Sequence, residues 1–384
     1  MAYSRKKPHV LVVMMQHSGG GAERQSILVA EAVKEAFEVT MAVAKPVPDA
    51  WRMSMEAKGF SVTVLQDKDT FLQRRLRHRR LLQLCATLEP DLVYSRWIKL
   101  NVALAKAKDR GDLKCGVIIQ VANTLSKLLD SSRLSNLLFK KSICSYYPKA
   151  DLILCNGNLA RIDLINEFGL GPEKCLYLPN LLEVGRAHGG IRERGRSRQD
   201  HDLRIVSVGR LIAQKDYTTL LRAVAKISGE IPLRVEIFGN GPYKRKLEKD
   251  IVKYRLGDVV MLKGPVFNPQ TNFPDFDLLV SSSLYEGMSN VMLEAMAEGL
   301  PVVVSEVSGS RDVLTNSSQG VVFPPGDADK LGSILRSLAL DRERLVVLSR
   351  EGSRRAEDFV VPKLRKKYEE VFLSVLSKDW TDTT

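Results

Sequence analysis

The stretch SLYEGMSNVMLEAMAEGLPVVVSE, residues 283–306, sets two carboxylates, Glu286 and Glu294, around a small polar turn that runs into a short helix. Gly287, Met288 and Ser289 offer successive backbone donors there, Ser289 or Asn290 can cap the helix, and Gly299 with Pro301 ends it. Such a helix start attracts phosphate, because its first N–H groups lack partners within the helix and the peptide dipoles add at that end. In VGRLIAQKDY, Arg210 and Lys215 flank a turn; a rigid guanidinium fork and a compact ammonium together suit a diphosphate. FGNGPYK carries Gly239 and Gly241, and SGGGAER carries Gly20, Gly21 and Glu23, where small residues let backbone N–H groups approach an anion. Each stretch has an ordinary alternative: solvated surface cations, glycines that serve only a tight turn, or a capped helix with two surface acids.

All four stretches follow apolar runs. HVLVVMM, VTMAVA, SVTVLQ, DLVYS, GVIIQVA, DLILCN and CLYLPN in the first half, and LRIVSVGR, LRVEIFGNG, VVMLKG, FDLLVSSS, PVVVSE and GVVFPPG in the second, alternate with helical patterns such as residues 23–37, 217–227 and 243–256. Strands apolar on both faces and separated by helices predict parallel sheets in α/β domains, whose ligands bind beyond the strand ends. FGNGPYK lacks the third glycine of the dinucleotide fingerprint, which argues against a nicotinamide dehydrogenase. The Gly- and Arg-rich stretch 184–202 reads as a linker between an N-terminal domain, 1–183, and a C-terminal domain, 203–358. Residues 359–384 form a helical segment expected to pack back toward the N-terminal domain.

The chain has 384 residues, 44% of them hydrophobic and 27% charged, enough to bury two cores. Its net charge of +13 points to an anionic partner. The five cysteines form no C-x-x-C pair, so neither a disulfide framework nor a zinc site is expected, and a reducing cytoplasm fits. The N-terminal apolar run is too short for a signal peptide and reads as a strand. No stretch reaches the roughly 18 to 20 apolar residues that cross a bilayer.

YEGMSNVMLEAMAEGLPVVVSE, VGRLIAQKD, FGNGP and GGGAER, with YPKADLILCNGNLARIDLINEFG, LPN and GVVFPPGDADKL, resemble in order the retaining GT-B glycosyltransferases of family 4, the group 1 glycosyl transferases. The resemblance covers nearly the whole chain. It implies two Rossmann-like parallel-sheet domains facing a central cleft, with a nucleoside-diphosphate sugar mainly on the C-terminal domain and the acceptor on the N-terminal one. Arg210 and Lys215 would neutralise the donor diphosphate, Glu294 would bind the ribose hydroxyls, and Glu286 would lie by the donor sugar. Gly20, Gly21, Gly239, Gly241, Gly287, Met288, Ser289 and Asn290 would complete the donor site; Asn123 and Lys127 are assigned to acceptor or donor contacts, and Glu23 to the acceptor side or another contact. The expected activity is transfer of a hexose or N-acetylhexosamine, from a UDP-sugar in preference to GDP-mannose, to a glycan or polyprenyl-linked acceptor in polysaccharide biosynthesis. The alternatives are a sugar-nucleotide 2-epimerase or, outside enzymes, a nucleic-acid-binding protein. No aromatic-rich RNA-binding signature accompanies the arginines.

Two departures from the family stand out. The strand tip that often carries a histidine has Gln120, Val121, Ala122 and Asn123, and the usual aspartate after Pro-Asn is absent, Glu183 being the nearest acid. Front-face attack, in which the leaving phosphate takes the acceptor's proton, needs no such base. D-x-D occurs at 67–69, 275–277 and 327–329, but with cations present for the diphosphate no metal or other cofactor is expected. FLQRRLRHRRLLQLC gathers Arg74, Arg75, Arg77, Arg79 and Arg80 among leucines, and residues 125–142 look similar. Both predict peripheral contact with an anionic membrane, at the inner face of the cell membrane.

Overall fold

The structure is a computed structural model that describes residues 7–16, 20–66, 71–129, 134–183, 202–266 and 273–377, with side chains in the helix at 71–88 described from residue 77. The chain divides into two compact units, Met1–Leu181 with Val361–Thr384, and Leu182–Val360. The stretch read as a linker, apart from Asp202, lies outside the described residues.

The first unit is built on seven parallel strands: β1 (His9–Met14), β2 (Glu38–Val43), β3 (Ser61–Val64), β4 (Leu92–Ser95), β5 (Gly116–Val121), β6 (Leu152–Cys155) and β7 (Cys175–Tyr177). Their spatial order is β3-β2-β1-β4-β5-β6-β7. Between them run α1 (Gly21–Val33), α2 (Asp49–Ala57), α3 (Phe71–Leu88), α4 (Ile98–Asp109), α5 (Leu125–Leu128), α6 (Leu134–Tyr146) and α7 (Asn158–Phe168). The period-two alternation explains why β1 is apolar throughout. Val10, Val12 and Met14 face one buried cluster with Tyr94, while Leu11 and Val13 face another with Leu81, Ile143 and Tyr147.

The second unit has six parallel strands: β8 (Leu203–Val208), β9 (Leu233–Phe238), β10 (Val260–Gly264), β11 (Leu278–Ser281), β12 (Val302–Ser305) and β13 (Val321–Phe323), ordered β10-β9-β8-β11-β12-β13. Its helices are α8 (Tyr217–Ile227), α9 (Lys244–Lys253), α10 (Asn290–Ala297), α11 (Ser308–Val313), α12 (Ala328–Leu340) and α13 (Arg342–Ala356). The helix expected over 243–256 is shorter because Arg255 turns left-handed at φ 57° and Leu256 N bonds Ile251 O at 2.9 Å.

The last helix, α14 (Val361–Ser377), belongs to the first unit and packs on α1. Phe372 stacks near Tyr94 and Phe37 at 5.6 and 6.1 Å between ring centres, and the Tyr368 hydroxyl donates to Pro179 O at 2.6 Å. Where the chain leaves this unit, Gln25 holds Leu181 through both its backbone groups, at 2.7 and 2.9 Å.

Candidate active site

Each sheet reverses its winding once. In the second unit the reversal falls between β8 and β11, whose outgoing connections leave toward opposite edges, and ligands of open α/β sheets bind at such switch points. Both charged stretches singled out from the sequence emerge here. Arg210 and Lys215 follow β8; Glu286 and the α10 turn follow β11. Lys215 Nζ meets Glu286 Oε1 at 2.5 Å, bridging residues 71 apart in sequence, and both side chains are largely buried.

The pair is held from several sides. Ser283 Oγ donates to Glu286 Oε2 at 3.0 Å, and Ser282 Oγ lies 3.1 and 3.0 Å from the carbonyls of Lys215 and Asp216. The serines that close the strand FDLLVSSS therefore staple its loop to the neighbouring one. Gln214 adds a second staple: Leu284 N donates to its carbonyl and its side chain donates to Tyr285 O, both at 2.8 Å. Asp216 is left-handed at φ 40° and is steadied by Thr219 Oγ1, which donates to Asp216 Oδ2 at 2.5 Å. Arg210 is exposed. Its charge opposes the upward shift that burial imposes on the Tyr285 phenol.

Ser289 is the cap of α10, its Oγ accepting from Met292 N at 3.4 Å, which leaves Asn290 as the first helical residue. Glu294 is buried one turn further in, with 6% exposure. A second helix start meets this one: Gly309 N of α11 donates to Gly287 O at 3.2 Å, and a Cβ on Gly309 would overlap Met288 Cα. The VSGS turn after β12 repeats the strand, small-residue turn, helix pattern that flags the other stretches, and the starts of α10 and α11 add positive potential on one side of the switch point. Tyr217 was visible only as the last letter of QKDY. Its buried hydroxyl has no hydrogen-bond partner, and burial followed by the Glu286 charge holds the phenol well above its ordinary pKa.

Gly239 and Gly241, assigned to the donor site, make backbone contacts of their own. Gly239 N donates to Gly264 O at 2.7 Å and Gly241 N to Asn240 Oδ1 at 2.8 Å, so both amides are occupied. A Cβ on Gly239 would overlap Gly209 O, and one on Gly241 would overlap Leu211 O. These glycines let two backbones touch and so position the Arg210 loop. Two D-x-D carboxylates also have structural work: Asp277 accepts from Arg204 N at 2.9 Å and Asp327 caps α12 through Lys330 N at 2.8 Å. Among the described residues no group of three His, Cys, Asp or Glu is placed to hold a metal ion.

In the first unit Gly20 caps α1 without a side-chain bond, Gly21 opens that helix, and Glu23 is buried in its first turn. Asn123 follows β5 and Lys127 lies in α5, which Asp163 of α7 pins by accepting from Ser126 N at 3.0 Å and from the Ser126 hydroxyl. Gln120, at the strand tip lacking histidine, faces inward; its side chain accepts from the Tyr94 hydroxyl and its carbonyl from Asn101 Nδ2 at 2.9 Å. The α3 arginines whose side chains are described, Arg77, Arg79 and Arg80, do not share one exposed face. Arg80 donates to Leu65 O at 2.8 Å and Arg77 to Gln66 Oε1 at 3.4 Å, both turned toward the strand ends, while Arg79 is exposed. The side chains of Arg74 and Arg75 lie outside the described residues. No helix among the described residues is long and apolar enough to cross a membrane.

Residues 192–355 match the family model of glycosyl transferases, group 1. The N-acetylgalactosamine-N,N'-diacetylbacillosaminyl-diphospho-undecaprenol 4-alpha-N-acetylgalactosaminyltransferase of Campylobacter jejuni is 28% identical over 280 residues, 72% of this chain and 74% of that protein. The lipopolysaccharide core biosynthesis glycosyltransferase LpsE of Rhizobium meliloti is 22% identical over 333 residues, 87% of this chain and 89% of the relative. Among solved structures, HepE of Anabaena in complex with UDP and glucose has a TM-score of 0.77 at 20% identity, covering 96% of this chain and all of that one. Sucrose-phosphate synthase of Thermosynechococcus elongatus has a TM-score of 0.78 at 16% identity, covering 97% of this chain and all of the other. The fold is GT-B. The chain is an enzyme, a glycosyltransferase.

Proposed function

We propose that the chain is a retaining, family 4 transferase that moves a hexose or N-acetylhexosamine from a UDP-sugar to a polyprenyl-diphosphate-linked or glycan acceptor in polysaccharide biosynthesis. The observation that carries this reading is the Lys215–Glu286 pair at the β8/β11 switch point, beside two helix starts that meet at Gly309 and Gly287. Breaking the bond between anomeric carbon and phosphate oxygen builds negative charge on the departing diphosphate. Fixed cations and N–H groups aimed at that charge lower the barrier, because they need not reorganise as it develops.

In this mechanism Lys215 and Arg210 meet the diphosphate and the start of α10 supplies N–H groups, while the start of α11, its Gly309 amide bonded to Gly287 O, holds that turn in place. Glu294 accepts hydrogen bonds from the ribose, and Glu286 faces the donor sugar while keeping Lys215 in place. The acceptor hydroxyl attacks the face from which the phosphate leaves, and its proton passes to the departing phosphate oxygen, so configuration is retained without a protein base. No metal enters these steps. The UDP preference draws on the HepE complex with UDP and glucose, and the lipid-diphosphate acceptor on the name of the Campylobacter relative. Incubating the protein with a panel of UDP- and GDP-sugars and a polyprenyl-diphosphate-linked saccharide, then reading product anomer by NMR, tests the reading. An α-linked product from a UDP-α-sugar is expected. An inverted product, free epimerised sugar, or turnover of GDP-mannose alone would overturn it.

A cytoplasmic enzyme with a lipid-linked acceptor works at the membrane surface. With Arg77 and Arg80 turned inward, α6 is the better candidate contact: Leu134, Leu137 and Leu138 are 72%, 42% and 56% exposed on one face, and Lys141 follows them. Replacing the three leucines with serine is expected to abolish sedimentation with anionic vesicles while the melting temperature holds. Unchanged sedimentation would remove α6 from the membrane contact.

A further inference from the structure

The sheet of the first unit has its own switch point, between β1 and β4. Gly20 and the start of α1 follow β1; Arg96 directly follows β4. Arg96 is 7% exposed, and its Nε and Nη1 are buried with no hydrogen-bond partner. No carboxylate pairs with it among the described residues. Its guanidinium lies by the Tyr94 hydroxyl, where it partly offsets the upward shift that burial gives that phenol, and its charge reaches Tyr368 of α14. Both neighbours are neutral phenols held above their ordinary pKa by burial, so neither balances the charge.

A buried guanidinium with two idle donors and no counter-ion is costly, and proteins keep such a group where a ligand supplies the missing charge. Tyr94 and Tyr368 are themselves fixed, by the bonds to Gln120 and Pro179, so the cation is mounted on a rigid floor. The position, at the C-terminal end of a strand beside the switch point and the start of a 13-residue helix, is where an open α/β sheet receives anions.

We propose that Arg96 is an anion-binding residue of the first unit that takes the phosphate oxygens of a lipid-linked diphosphate acceptor. The identity of the anion as acceptor rests on the transferase reading above; the site itself rests on Arg96 alone. Nε and Nη1 point along different edges of the guanidinium, so they suit two oxygens of a diphosphate better than one carboxylate.

The test uses the full chain carrying Lys215→Ala, which disables the diphosphate contact of the second unit, with and without Arg96→Met. Melting temperature is followed against inorganic pyrophosphate and against a short-chain prenyl diphosphate, since a ligand that binds only the folded state raises it. Pyrophosphate is expected to stabilise the Arg96 protein and to bind the Arg96→Met protein roughly tenfold more weakly or worse. The unliganded Arg96→Met protein should be no less stable than its parent, because an uncompensated buried charge has gone. If that variant fails to fold, Arg96→Lys, which keeps the charge but loses the fork, replaces it in the same titration. A larger shift with the prenyl diphosphate supports the lipid-linked acceptor, and an equal or smaller one overturns that assignment. Equal stabilisation with and without Arg96 overturns the site. Loss of UDP stabilisation on Lys215→Ala alone is read separately and bears only on the donor site.

Discussion

Lys215→Ala is expected to lower kcat/KM for the donor by about 2 kcal/mol or more, roughly thirtyfold, with the fold intact. Its ammonium meets charge that grows as the diphosphate departs, so more is lost in the transition state than in the ground state. The geometry adds a second expectation. Because Lys215 Nζ and Glu286 Oε1 are 2.5 Å apart, neither substitution removes one contact alone: Lys215→Ala strands a largely buried carboxylate beside Tyr217, and Glu286→Gln frees the ammonium to move. Lys215→Ala, Glu286→Gln and the double variant should therefore be non-additive in kcat, the double losing less than the sum of the singles. Glu294→Gln, on the buried face of α10, should instead raise the donor KM and add independently. Near-normal kinetics for Lys215→Ala would remove it from the diphosphate, and strict additivity with Glu286 would mean that the pair opens before chemistry.

The contrast between Glu286 and its partner also marks what the sequence can carry. An apolar run buried on both faces is a local property, so β1 and β8 could be read directly, and so could the polar turns that follow them. Ser289 as a cap is equally local. Lys215 and Glu286 are each visible as charged residues after strands, but their meeting depends on β8 and β11 being neighbours, and strand order is not written in either stretch. The close packing at Gly239 and Gly241 is hidden for the same reason: the group each one makes room for, Gly209 O or Leu211 O, belongs to another loop. In α3 the arginines and leucines alternate too closely for the pattern to say which cations return to the strand ends, and Arg77 and Arg80 do. Arg96 ends an apolar run, DLVYSR, and that break is a signal in itself. Its lack of a counter-ion becomes visible only once the neighbours are in place.

Gly309→Ala is expected to impair both the site and the stability of the second unit. The new methyl would overlap Met288 Cα and stand 2.6 Å from Gly287 O and Met288 N, and backbone atoms cannot swing aside as a long side chain can. Relief requires the 287–288 turn and the start of α11 to part, which breaks the Gly309 N to Gly287 O bond and shifts the N–H groups assigned to the diphosphate. Overpacking of this kind costs about 1–3 kcal/mol of stability. A displacement of about 1 Å in positioning groups costs about a hundredfold in rate. Gly332→Ala in α12 is the control: its Cβ would meet Ala223 O at 3.4 Å, an ordinary contact, and alanine favours the helix by up to about 1 kcal/mol. Denaturant unfolding and donor kinetics on the two variants separate the cases. Loss of donor use in Gly309→Ala with Gly332→Ala near normal ties catalysis to the meeting of the two helix starts; equal behaviour would mean that the α10 turn works without its neighbour.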